Sequence, residues 1–121
     1  MAVLNWGKRN VGLFLAGSNT DYPTHFMIGN GSGTVVNTQT ALISPFDRQE
    51  VTGINGSTVY KITWIGDWNS VEMSGTQLQE WGLTIAGAGT TGSMWSRTAM
   101  ENQIEFDGTA ELRIEETVEV F

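Results

Sequence analysis

The sequence predicts a mainly β protein, an antiparallel β-sandwich (jelly-roll or immunoglobulin-like) with a short N-terminal helix, in a single domain over residues 1–121. Two observations carry that reading. Apolar and polar residues alternate with period two in several separate stretches, as half-buried strands require. The 15 glycines, with many Ser, Thr and Asn, cut the chain into short segments rather than long helices. With 40% hydrophobic residues, among them five Trp, five Phe and two Tyr, the chain holds enough apolar surface for one core.

Residues 5–16 place Trp6, Val11, Phe14 and Leu15 at helical spacing, with Asn5 as N-cap and Gly17 as C-cap. A strand over 11–16 is the competing reading, because Gly12 and the β-branched Val11 weaken a helix. Asp21-Tyr22-Pro23 signals a turn, and Thr24 to Gly29 a short strand. Gly29 to Thr34 reads as a flexible loop and Asn37 to Ser44 as a turn or one helical turn. Pro45 to Val51 reads as an edge strand, where proline is tolerated.

Asn55-Gly56 is the strongest hairpin signal, since both residues accept the positive φ of a type I′ turn. Beyond it, residues 59–65 set Tyr60, Ile62 and Trp64 on one face and Lys61 and Thr63 on the other. Trp68-Asn69 and Met73 to Gly75 read as loop. Leu78 to Ala86 alternates Trp81, Leu83 and Ile85 with Gly82 and Thr84; residues 88–92 read as a turn. Met94 to Met100 is a strand centred on Arg97, and residues 101–108 read as irregular. In the last strand Leu112, Ile114, Glu116, Val118 and Val120 share one face, and Arg113, Glu115, Thr117, Glu119 and Phe121 the other. About six strands at this spacing suggest a sandwich.

Charge and composition exclude several functions. Six Lys+Arg against 13 Asp+Glu leave a formal charge of −7 and no basic stripe, so nucleic-acid binding is not expected. The absence of cysteine rules out disulfides and thiolate metal sites. No stretch is long and apolar enough to predict a membrane span, and residues 1–7 show no secretory pattern, which makes cytoplasmic synthesis the expectation. His25 is the sole histidine, too few for a multi-histidine zinc site, and a general base needs partners that its neighbours do not supply. No G-x-S-x-G elbow, Walker loop or calcium loop occurs. The expectation is therefore no enzymatic activity, no cofactor and no metal.

Carboxylates are plentiful: Asp67, Glu72, Glu80, Glu105, Asp107, Glu111, Glu115, Glu116 and Glu119. A glycosidase would need two of them across a cleft, with Glu80 and Glu105 the pair to consider. Glu115 and Glu119 read more simply as a solvated face that discourages edge pairing. Glu116 shares the apolar face of its strand and predicts a partner, in Arg97, Arg48 or a neighbouring subunit. Among the tryptophans, Trp64, Trp81 and Trp95 occupy core-like positions. Trp68, beside Asp67 and Asn69, is the best candidate to stack on a sugar ring, which keeps a carbohydrate- or receptor-binding module as the alternative function.

Several segments, taken in order, carry a resemblance. They are Phe26 to Gly33, Thr38-Gln39-Thr40-Ala41-Leu42, Arg48 to Thr52, Glu80-Trp81-Gly82-Leu83, Ser96-Arg97-Thr98-Ala99-Met100 and Ala110 to Ile114. Together they resemble the pattern of small tailed-bacteriophage virion proteins, with Asn30, Gln39 and Thr84 departing from it. The resemblance implies a virion structural protein acting by assembly, as a fibre, neck, tail-associated or capsid-decorating component made in the host bacterial cytoplasm. It implies other virion proteins as partners and a closed homo-oligomer, with a trimer favoured. Trp6, Tyr22, Trp68 and Phe121, the aromatics outside clear core positions, are the expected assembly contacts.

Overall fold

The computed structural model describes residues 2–17, 23–58, 61–85 and 94–119. Chain order is β1 (Ala2–Val3), α1 (Asn5–Leu15), β2 (His25–Gly29), β3 (Pro45–Glu50), β4 (Gly53–Thr58), β5 (Lys61–Trp68), α2 (Ser70–Met73), β6 (Gln77–Thr84), β7 (Ser96–Glu105) and β8 (Leu112–Glu119). A five-stranded sheet, β1-β7-β6-β2-β3, lies against a three-stranded sheet, β4-β5-β8, and every pairing is antiparallel. The predicted β-sandwich with its short N-terminal helix is the observed fold.

Strand parity builds the core. Phe26 and Ile28 of β2 stand opposite Leu83 and Trp81 of β6 and face the second sheet. There they meet Trp64 and Trp68 of β5 and Ile114 of β8, with Met73, Leu78 and Phe106 closing the cluster. The other face of the five-stranded sheet carries a smaller cluster, Leu4, Met27, Leu42 and Met94, roofed by the loop over residues 30–44. β6 is covered on both faces: only Gln77 and Trp81 along it are not buried, with Leu78, Trp81 and Leu83 packed in the main core and polar Glu80 buried on the other face.

Local signals held in most places and moved in others. Pro45 opens β3, which is an edge strand as predicted. Gly17 follows α1 with φ 72°, but the Leu4 carbonyl accepts the Lys8 amide, so Leu4 caps the helix and Asn5 is its first residue. Trp68 ends β5 rather than lying in a loop, and Asn69 opens α2 through a capping box with Glu72, the Glu72 amide donating to Asn69 Oδ1 at 2.8 Å. Residues 101–105 continue β7, although the pairing with β6 shifts between Leu78 and Glu80. The predicted turn at 88–92, Tyr22, Val120 and Phe121 lie outside the described residues.

The largest correction concerns Asn55-Gly56. These residues sit inside β4, at an irregularity in its pairing with β5, and the hairpin closes later, after the Thr58↔Lys61 pair. Neither residue has positive φ. The pairing of Ile54 with Trp64 fixes the register, and cross-strand packing outweighs turn propensity here. A methyl group added at Gly56 would meet nothing within 4 Å. Gly56→Ala should therefore change stability by less than about 1 kcal/mol in urea denaturation, whereas a type I′ turn at this position would make it clearly destabilising.

Candidate functional site

Glu80 of β6 and Arg97 of β7 point away from the main core, onto the face roofed by residues 30–44. Both side chains are fully buried, and Arg97 Nε donates to Glu80 Oε1 at 3.2 Å. Three backbone amides complete the shell of the carboxylate. Gly31 N and Ser44 N donate to Oε2 at 2.8 Å each, and Ile43 N donates to Oε1 at 2.8 Å. Arg97 Nη1 reaches the Gly33 carbonyl at 3.3 Å and Gln39 Oε1 at 3.4 Å. One ion pair thus holds both ends and the middle of the loop against the sheet.

The loop sequence suits this clasp. A Cβ at position 31 would stand 2.2 Å from Glu80 Oε2, so only glycine lets the backbone approach the carboxylate so closely. Gln39 also accepts the Val36 amide at 3.0 Å, which ties the loop to itself before it reaches Arg97. Buried charges persist only when paired and hydrogen-bonded, and Glu80 meets that condition at both oxygens. This carboxylate is sealed from solvent. Glu105, the other half of the considered glycosidase pair, is exposed at the end of β7 beside Gln77.

Glu116 is a second buried carboxyl, on the opposite side of the five-stranded sheet from Glu80. It lies 4% exposed on β8, facing the five-stranded sheet, where Ser96 Oγ donates to its Oε2 at 2.9 Å. Arg97, one of the partners expected for it, pairs with Glu80 instead. Its Oε1 has no partner, and neither has the indole nitrogen of Trp64, the residue opposite on β5. Burial pushes the Glu116 carboxyl up to about 7, against the pull of the Ser96 hydroxyl and the nearby Trp81 indole.

The remaining predicted site residues are dispersed. Trp68 is 1% exposed, and its indole nitrogen donates to Asp47 Oδ2 at 2.8 Å. It lines the floor of a groove with Asp67, Asn69, Glu111, Leu112 and Arg113, but offers no ring face to a sugar or a neighbouring subunit. That overturns both roles expected of it: the period-two pattern of β5 runs on to residue 68 and turns the side chain inward. Asp67 in that groove is held below the usual carboxylate range by hydrogen bonds from Arg113 and Thr52. Trp6 lies on α1 with its side chain outside the described residues, as Tyr22 and Phe121 are entirely. His25 opens β2, with Nδ1 2.8 Å from Thr24 Oγ1. Among the described residues no three His, Cys, Asp or Glu side chains are grouped to hold a metal, and no helix is long and apolar enough to cross a membrane.

Two outcomes follow from these buried charges. Arg97→Met should cost about 3–5 kcal/mol in chemical denaturation, because it strands Glu80 without its counter-charge. Adding Glu80→Gln should cost far less than a second such step, a coupling read from the double-mutant cycle. For Glu116 the folded value of about 7 exceeds the ordinary 4.5, so the fold binds this proton more tightly than the unfolded chain does. Its stabilisation is complete below 4.5 and is lost as pH rises to about 7, a swing on the order of 3 kcal/mol. Glu116→Gln should flatten that part of the stability–pH curve; an unchanged slope would refute the assignment. The chain matches no family model, and no curated protein or solved structure is significantly similar to it.

Proposed function

We propose that this chain is a structural component of a tailed-bacteriophage particle, working by assembly rather than by catalysis. The observation that carries the reading is where the resembling segments meet. Phe26 to Gly33 and Thr38 to Leu42 are close together in the chain, whereas Glu80 to Leu83 and Ser96 to Met100 come much later. In the fold they supply Gly31, Gly33, Gln39, Glu80 and Arg97 to the same clasp. Four of the six resembling segments thus contribute to one buried junction that locks a loop, Thr38 to Leu42 through Gln39, a position that departs from the pattern.

A locked loop is useful to an assembling protein. Ile43 gives its amide to Glu80 while its side chain stays 52% exposed, and Phe46, three residues on, is 38% exposed. Apolar side chains held on a fixed backbone lose little entropy when a neighbour covers them, which favours docking. Such a surface suits contacts with other virion proteins at a head, neck, tail or fibre. Carbohydrate or receptor binding draws no support from Trp68, whose ring is buried.

The purified chain should co-sediment with phage heads or tails that lack it. The double variant Ile43→Asp and Phe46→Asp should keep the wild-type circular dichroism and lose at least about 1.4 kcal/mol of binding, a tenfold drop in affinity. Wild-type protein that ignores both heads and tails would overturn the proposal.

A further inference from the structure

β8 is the edge of the three-stranded sheet, and no described strand pairs with its second side. Proline and bulges are common guards of such an edge, and β8 has neither; its register against β5 is constant from Lys61↔Glu119 to Trp68↔Leu112. Its charges are the remaining guard, and they repel in some registers while attracting in others.

We propose that two copies of the chain pair β8 against β8, antiparallel about a two-fold axis at Glu116, joining their three-stranded sheets into one. In this register Arg113 faces Glu119 of the second copy on the outer face. Within each copy Asp67 already stands opposite Arg113, and Lys61 opposite Glu119. A row across the joined sheet therefore reads Asp67, Arg113, then the second copy's Glu119 and Lys61, with the signs alternating at every step. Two symmetry-related rows of this kind flank the axis.

Neighbouring registers lack that match. A two-residue slip one way sets Glu115 against itself and Glu111 against Glu119; a slip the other way sets Glu115 against Glu119. Like charges directly opposite are unfavourable in a sheet. A four-residue slip restores an Arg113–Glu115 pair but leaves only residues 112–116 of each β8 paired, against 113–119 here.

The inner face agrees with the outer one. Ile114 meets the second copy's Val118, which in its own copy stands opposite Ile62. Val118 is half-buried and Ile62 is 37% exposed, so both gain apolar neighbours. At the axis the two Glu116 side chains face one another, and each Oε1 without a partner lies beside a second carboxyl. One proton between them supplies the missing hydrogen bond, since two adjacent carboxylates do not both ionise readily. Ser96, Trp64 and Trp81 face Glu116, while Arg97 and Glu80 lie on the far face of their sheet, and Lys61, Asp67, Arg113, Glu115 and Glu119 on the outer face of theirs. The occupant is a second copy because one strand supplies both members of every pair, as an isologous interface demands. Such a pairing closes at two copies, where the resemblance favoured three.

The pairing stands apart from the virion reading. A dimer indifferent to phage particles would keep it, and a monomer that binds them would remove it alone. Sedimentation of the full chain should give twice the 13.2 kDa of one copy. The chain has no cysteine, so Glu115→Cys with Thr117→Cys should yield a disulfide-linked dimer on mild oxidation, and Glu115→Cys alone should not. Glu119→Lys sets Lys against Arg113 twice and should weaken the dimer roughly tenfold with unchanged circular dichroism. A monomeric wild type, a dimer indifferent to Glu119→Lys, or equal cross-linking by Glu115→Cys alone would each overturn the proposal. Should the double-cysteine variant not fold, the mass and Glu119→Lys measurements still decide.

Discussion

A carboxylate and a guanidinium shut away from water hold the outer half of this molecule in place. Taking both charges out of solvent is costly, and the cost is offset only if nearly every lone pair and proton finds a partner. Glu80 finds four donors, three of them backbone amides of the loop over residues 30–44. The loop therefore has one arrangement in which Glu80 is satisfied, and leaving it would expose a stranded buried charge. Such a junction contributes uniqueness more than net stability, because its gain depends on every member being present.

The two faces of the five-stranded sheet divide the work. Inside, Phe26, Ile28, Leu83 and the tryptophans of β5 supply non-directional burial that holds two sheets together. Outside, where no second sheet lies, directional hydrogen bonds to Glu80 and Arg97 fasten a loop over a small apolar cluster. Glu116 sits where these two modes meet, a polar group inside the apolar interface with one hydrogen bond to Ser96. One of its carboxylate oxygens has no hydrogen-bond partner, and it lies on an edge strand of the smaller sheet.

Alternation of side chains was legible for β8, for the first part of β5 and for β6, because period two needs only local information. The edge position of β3 was legible from Pro45, and the end of α1 from Gly17. The turn at Asn55-Gly56 misled, since propensity there competes with a register set by Ile54 and Trp64 from two different strands. The Asn69-x-x-Glu72 capping box was present in the sequence but was masked by reading Trp68 as the start of a loop. Arg97 reads from the sequence as the charge in the middle of a strand and as one partner for Glu116, yet it pairs with Glu80, because strand parity cannot tell which face of a sheet lies against which neighbour.

By itself, then, the sequence determined the strand periodicity, the fold class, and the absence of disulfides and thiolate ligands. These depend on residue type and short-range spacing alone. Only the tertiary structure decided that Glu80 takes Arg97, that Trp68 is core, and that Glu116 lies buried beside Ser96. Each of those facts joins residues at least 17 positions apart or depends on which sheet covers a face. Burial and charge pairing are properties of such long-range approaches, and no local pattern in the chain encodes them.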